Sequence, residues 1–525
     1  MKKETKPYDE SRAAYDVARL SFFRNLAVSD REVTTSRKCK RKTSFPFAFL
    51  STFRNFGFAE LTMHSEEKEK CFSLFFSRFF VTLQRRAMNR IDNHILKIAL
   101  PAIASNITTP LLGLVDTAIV GHMGDAAYIG AVAVGAMIFN LLYWVFGFLR
   151  MGTSGLTAQA LGRNDDVEVT RLLVRSGFVS LAVAMFILVF QWPLRELMLW
   201  FVGPTADVRS LASTYFDIVV WGAPAMLGVY SLNGWFIGMQ SSHLLMFVSV
   251  IQNVANILAS LTLVYGFGMK VEGVAIGTCV AQYIGFLAAA GLLWRNYRQL
   301  PFSINIPRMK ELKPFLRVNR DIFLRTLFLV AVNLYFTSAG ARQGSTLLAV
   351  NTLLFQLYLL FSFVMDGFAF AGEALGGKYW GAGDAVEFRR LLRRLFLWGA
   401  GMTMLFSTVY IIGGMPFLRL LTDEPMVVEA SRQYVWWAYL IPVAGVAAFV
   451  WDGLFIGITY SRGMLQSSCL AAVVFFSGVF LLMPEMGNHG LWLSMILYLM
   501  ARGVLQTVLF FRTKVKYDGT DTKFL

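Results

Sequence analysis

The chain has 525 residues, 56% of them hydrophobic and 15% aromatic, and its mean hydropathy of +0.54 exceeds what a domain with a fully solvated surface carries. The formal net charge of +16 invites a nucleic-acid reading, but residues 1–87 alone hold eighteen basic and ten acidic residues, half of the excess. The remaining basic residues sit in alternate breaks between apolar runs, as membrane topology requires, so composition excludes an ordinary soluble enzyme and calls for no nucleic-acid partner.

Residues 1–87 differ in kind from the rest of the chain. The stretches SRKCKRKTSFPFAFLSTFRNF and CFSLFFSRFFVTLQRR are basic and Phe-rich, yet no apolar run reaches the roughly 18 residues of a helical span. Two readings stand: an amphipathic tail held on an anionic membrane surface, and a start placed too far upstream, with translation beginning at Met88. The second is favoured. A secretory signal is not legible, because no short apolar core is followed by a small-residue cleavage site.

From residue 88 onward, apolar runs of about twenty residues alternate with short polar breaks, the length a helix rising ~1.5 Å per residue needs to cross ~30 Å of hydrocarbon. Twelve spans are expected, near 95–120, 126–149, 172–192, 207–238, 244–266, 273–294, 316–339, 345–376, 391–412, 427–457, 464–483 and 490–511. They leave no room for a soluble catalytic domain. Basic residues gather at Arg163, Arg171 and Arg175, at Arg295 to Arg325, at Lys378 and Arg389 to Arg394, and at Arg512, Lys514 and Lys516. By the positive-inside rule these segments and both termini are cytoplasmic, with roughly twenty basic residues inside against about six outside.

Two halves can be laid over each other. GRNDDVEVTRLLVRS (162–176) matches GAGDAVEFRRLLRRL (381–395), and LNGWFIGMQSS (232–242) matches WDGLFIGITYS (451–461) at the same offset. Two matches at one offset point to duplication. Six spans per half give both halves the same orientation, a transporter architecture with the pathway between them. The expected organisation is an extension over 1–87, a six-helix lobe over 88–300, a second over 301–515 and a cytoplasmic tail over 516–525, in a chain acting as a monomer.

A charge at the bilayer centre costs at least ~2.5–3.5 kcal/mol on insertion scales, so each one retained calls for a reason. Asp116, in TPLLGLVDTAIVGHMG, lies about five residues, or ~7 Å, from the expected outer end of the first span. It is either an acid snorkelling to the interface or a buried carboxylate suited to take up a proton. Asp366 and Glu373 lie seven residues apart, ~10 Å along one helix face. They are either a proton or cation relay of the second lobe or a pair satisfied by arginine and backbone amides, with Arg325 the expected partner.

The segment from Gly372 to Lys378 imitates a phosphate loop, but Tyr379 stands where Ser or Thr must hold magnesium, and no strand precedes it. Lys378 reads as a helix-end anchor instead, and an ATP-driven pump is rejected. Asn140, Asn233, Gln282 and Gln356 are candidates for a substrate pathway, although amides within spans more often bond neighbouring helices. The cysteines Cys39, Cys71, Cys279 and Cys469 and the five histidines have no metal-ligand spacing, so neither a metal nor a cofactor is expected. No nucleophile and base in register support an intramembrane enzyme.

The segments LPAIASNITTPLLGLVDTAIVGHMG, LTAQALGRND, NGWFIGMQ, NRDIFLRT and MDGFAFAGEALGGKYWGAGD together resemble the DinF-like branch of the multidrug and toxic compound extrusion (MATE) transporters, over residues 88 to about 515. The resemblance implies an all-α membrane protein, with twelve transmembrane helices in two pseudo-symmetric six-helix bundles forming a V. It implies export of drug-like, often cationic or amphipathic small molecules from a bacterial inner membrane, by proton or sodium antiport. Asp116 matches the coupling acid of that family, and Asn256 and Thr278 match its supporting residues. Some members carry a second acid four residues after the asparagine; here Ser260 stands in its place. One carboxylate fewer weakens a sodium cage and leaves protonation of Asp116 intact, which favours protons. A lipid-linked precursor flippase of the same superfamily is the alternative, and on physical grounds alone a channel stays open.

Overall fold

A computed structural model describes residues 90–121, 126–302 and 306–512, which belong to one compact unit, Met88–Leu525. The expectations for residues 1–87 and 516–525 lie outside the described residues. Among the described residues every regular element is helical. In chain order these are α1 Arg90–Gly121, α2 Ala126–Phe146, α3 Phe148–Gly162, α4 Asp166–Val189, α5 Gln191–Val202, α6 Ala206–Val219, α7 Ala223–Gly238, α8 Ser242–Leu261 and α9 Val271–Tyr297. The second half continues with α10 Met309–Ala341, α11 Ser345–Gly381, α12 Ala385–Leu421, α13 Pro425–Gly457, α14 Ser461–Met486 and α15 Asn488–Arg512.

Eleven segments are long and apolar enough to cross a bilayer, and α1, with 32 residues, has the length for a twelfth. Several spans run past the ends that apolarity alone assigns. The second, expected to stop near 149, continues through α3 as Ala127–Gly162, and the eighth and ninth extend to Ser345–Gly381 and Ala385–Leu421. The first of these corrections has a clear cause: Arg150, which ends the apolar run, is paired inside the protein and so has no need to leave the helix for water.

The duplication is visible in the backbone. At the turns that precede α4 and α12, Asn164 (φ 56°) and Gly383 (φ 71°) are left-handed, and the next residues cap the helices. Asp165 accepts from the Glu168 amide at 2.9 Å, and Asp384 from the amides of Val386 and Glu387 at 3.1 and 2.9 Å. Such caps satisfy amides that a helix start leaves free. The turns after α7 and α13 repeat the pattern with Gln240 (φ 60°) and Thr459 (φ 54°), a strained conformation for residues with a Cβ.

Glycine lets the helices touch. A Cβ on Gly234 would lie 2.3 Å from the Arg150 carbonyl oxygen, and one on Gly453 would lie 2.2 Å from that of Ala369. Between the halves the contacts are reciprocal: Gly162 meets the Lys378 carbonyl at 2.1 Å, and Gly381 meets that of Gln159 at 2.2 Å. Each pair repeats at the offset that relates the two sequence halves. The halves therefore interdigitate at the basic end of the bundle, the end that carries Arg163, Lys378 and Arg389.

Buried apolar residues form two clusters, each drawn mainly from one half, and α1 contributes to both. Ile91, Ile95, Ile98, Ala99 and Ala102 join the second-half cluster, whereas Ile119 and Val120 join the first-half cluster. The changeover is polar: Asn106 donates to the Phe363 carbonyl of α11 at 3.1 Å, while Ser105 bonds Ser249 of α8 at 2.6 Å and Asn253 donates to the Thr108 carbonyl at 3.3 Å.

A Cβ on Gly155 would stand 2.1 Å from the Ile456 carbonyl oxygen across the seam, whereas one on Gly177 meets nothing within 4 Å. Gly155→Ala is expected to lower stability by about 1–3 kcal/mol through overpacking. Gly177→Ala should leave it unchanged or raise it by up to about 1 kcal/mol. Thermal unfolding of the detergent-solubilised variants measures both.

Candidate functional site

A polar stripe runs down α8. Ser249, Asn253, Asn256 and Ser260 recur at helical spacing on one face, the first two bonded to α1 and the others turned to α9. Asn256 donates to the Thr278 hydroxyl at 3.1 Å, and Thr278 donates back to the Val274 carbonyl at 3.0 Å. Ser260 is packed so closely on α9 that a Cβ on Gly277 would lie 2.5 Å from its hydroxyl. Asn256 and Ser260 are 1% and 0% exposed.

Asp116 of α1 is linked to this group through Tyr215, which stands within its electrostatic reach and beside Thr278. One of its carboxylate oxygens is buried with no hydrogen-bond partner among the described residues, as are the Asn256 carbonyl oxygen, the Ser260 hydroxyl and the Gln282 carbonyl oxygen. Buried polar atoms left unmatched are rare and costly, and a proton bound at the Asp116 carboxylate would give this site a donor. Tyr215 of α6 is a buried phenol, and a second, Tyr143 of α2, lies beside Gln282. The sequence pattern does not single out either tyrosine; their signal is Gly135, where a Cβ would come within 2.2 Å of the Tyr215 ring.

The second half is organised differently. Asp452 of α13 receives Arg325 of α10 and Arg502 of α15, and Gln506 donates to its other oxygen at 2.6 Å. All four are buried. This corrects the expected partnership of Arg325 with Asp366 and Glu373: the guanidinium is committed to Asp452, which the sequence pattern does not single out. The available hint is that Asp452 occupies the position of Asn233 in the repeat, a charge gained where the first half has an amide. Glu373 of α11 is held instead by Arg150, at 3.2 Å, and by the Ser154 hydroxyl at 2.6 Å, both from α3 of the other half. Asp366, half-buried, lies within electrostatic reach of Arg150, Arg325, Asp452 and Glu373.

Of the four amides expected along a pathway, Asn233 and Gln282 are buried, with one unpartnered oxygen each. Asn140 of α2 and Gln356 of α11 are exposed. The structure thus joins Asn256, Ser260 and Thr278 across α8 and α9 and reaches Asp116 through Tyr215, while Gln282 stands beside Tyr143.

The MatE family model matches this chain twice, over residues 101–262 and 322–481, one block in each half. The chain belongs to the MatE family. It is 36% identical to the DNA damage-inducible protein F of Escherichia coli strain K12, over 82% of this chain and 94% of that protein. It is 23% identical to the probable multidrug resistance protein NorM of Thermotoga maritima, over 68% and 78%. In three dimensions it is similar to a MATE crystallised in the bent conformation, with a TM-score of 0.72 and 18% identity over 80% of this chain and 94% of that one. A transporter of the MOP superfamily from Pyrococcus furiosus gives the same TM-score at 18% identity, over 79% and 94%. These neighbours share the fold of two six-helix lobes, and this MatE chain is an integral membrane transporter.

Within that transporter Asp452 and Asp366 differ in what they hold. Asp452→Asn leaves Arg325 and Arg502 buried without their carboxylate and is expected to cost about 3–5 kcal/mol of stability. Asp366→Asn, which breaks no ion pair, should change stability by less than about 1 kcal/mol. Melting curves of the purified variants separate the two.

Proposed function

We propose that this chain is a cation-coupled antiporter of the bacterial inner membrane that exports drug-like, often cationic or amphipathic molecules, with protons as the coupling ion. The observation that carries the reading is the Asp116 site: a carboxylate oxygen buried without a partner among the described residues, linked through Tyr215 to the Asn256–Thr278 pair and Ser260. A proton needs one acceptor. Sodium needs several oxygens and compensating charge, and Ser260 supplies a hydroxyl where a second acid would serve that ion better. The names of relatives such as NorM, a probable multidrug resistance protein, support efflux as the direction and drug-like molecules as the cargo.

The basic end is the cytoplasmic one by the positive-inside rule. With that end sealed, the conformation is one in which cargo does not reach the cytoplasm. Protonation of Asp116 from the outside and binding of cargo in the first lobe exclude each other, and the proton favours the state that reopens inward. A ligand shifts such an equilibrium only through its different affinity for the two states. Asp116 lies on the part of α1 that packs with the first half, while the opposite part is buried in the second-half core. A change at Asp116 is therefore felt by the helix that joins both lobes.

Reconstituted into liposomes, the protein should drive efflux of a fluorescent organic cation under an imposed proton gradient, and not under a sodium gradient alone. Asp116→Asn should remove at least about 90% of the proton-driven flux, the loss of a group that acts in the rate-limiting step, while the protein stays folded. Undiminished proton-driven flux in that variant sinks the reading.

A further inference from the structure

Glu373 is 1% exposed, and the donors to its carboxylate, Arg150 and Ser154, both come from the other half of the molecule. Around this pair α11 presents one continuous face: Asp366, Phe370 and Glu373 stand at i, i+4 and i+7. The Arg150 guanidinium lies 4.2 Å over the Phe370 ring and within electrostatic reach of Asp366. Arg150 thus lies against the Glu373 carboxylate and the Phe370 ring of a helix to which it does not belong. Arg150 also lies within electrostatic reach of Tyr230 of α7.

The position of the pair along the seam matters. From Arg150 to Gly162, twelve residues or ~18 Å of helix, α3 is sealed against the second half through small residues. Gly155 meets Ile456, Ala158 meets Gly377, and Gly162 meets Lys378. The hydrogen bonds along this zone are neutral, from Gln159 to the Gly457 carbonyl at 2.9 Å and to the Thr459 hydroxyl at 3.0 Å. Two further ion pairs join the halves among the described residues, Asp92 with Arg394 at 3.5 Å and Arg175 with Glu311 at 3.7 Å, and each leaves one member open to solvent, the arginine 34% and the glutamate 46% exposed, where screening weakens it. Arg150 with Glu373 is the desolvated one, and it stands at the deep limit of the seal.

We propose that Arg150 is a positioning residue of the transport cycle: its ion pair with Glu373 holds the basic end shut, and that end opens only when the guanidinium leaves the carboxylate. The inference rests on the alternating-access reading of the proposed antiport, but its test measures distance rather than transport, so the two can fail separately. An ion pair buried in the seam is lost as a unit, because neither member keeps an equal partner once the halves part. This gives the seal two discrete states instead of a gradual one.

Spin labels at Val167→Cys and Val386→Cys, two exposed and repeat-equivalent positions in the first turns of α4 and α12, report separation at the basic end. The full chain is used in proteoliposomes, with its native cysteines replaced by serine. The parent should show one short distance. Glu373→Gln, nearly isosteric, and Arg150→Gln should each add a longer one, with a change of about tenfold in the closed-to-open ratio. Arg150→Lys, which keeps the charge, and Ser154→Ala, which keeps the ion pair, should retain the short distance as the main population. Parental distributions in both glutamine variants overturn the proposal. So does a shift in Ser154→Ala as large as that in Glu373→Gln, which would make the hydrogen bond rather than the ion pair responsible.

Discussion

A charge within hydrocarbon must find its counter-charge inside the protein, and the way this chain meets that requirement shapes both halves. Asp452 of α13 links α10 and α15, because Arg325 comes from the first and Arg502 from the second. Glu373 draws α11 to α3 across the seam. Water is not at hand to solvate a stray guanidinium or carboxylate, so each pair is an anchor whose loss costs far more than its formation contributes. Where the second half has Asp452 with its two arginines, the first half has Asn233, an amide with no charge to pair.

That asymmetry separates scaffold from working group. Both halves derive from one repeat, and their turns, caps and glycine contacts still agree position by position: Asp165 with Asp384, Gly234 with Gly453, and Gly162 with Gly381. Their polar interiors do not agree. The second half is rich in paired charge, whereas the first half keeps Asp116 with a buried carboxylate oxygen that has no partner among the described residues. An ion-paired acid resists a change of charge. An acid with an unpartnered oxygen can take up a proton, which gives the site a donor.

The helix α1 connects these two interiors. One part of it is packed into the second-half core and the other into the first, with the changeover at Ser105 to Thr108 made by hydrogen bonds to α8 and α11. A rigid helix shared by two bodies transmits motion from one to the other. The seal at the basic end adds a second link, made of glycine contacts that leave no slack and one buried ion pair. Between them, these links tie the halves together at two levels of the bundle.

Much of this is legible in the chain alone. Twenty-residue apolar runs dictate membrane helices, because unpaired backbone groups are intolerable in hydrocarbon, and the repeat at one offset dictates two similar halves. Asp116 stands out for the same reason any in-span charge does. Partnership is not legible: several in-span acids are available to Arg325, and only the tertiary arrangement that brings its side chain to Asp452 of α13 decides among them. Arg150 is hidden as well, because apolarity ends its span at 149, whereas the helix continues to Gly162 once Glu373 has neutralised the charge. Hydrophobic length is a property of one segment and can be read from it. The choice of a counter-ion belongs to two segments far apart in the chain, and it exists only when tertiary structure has brought them together.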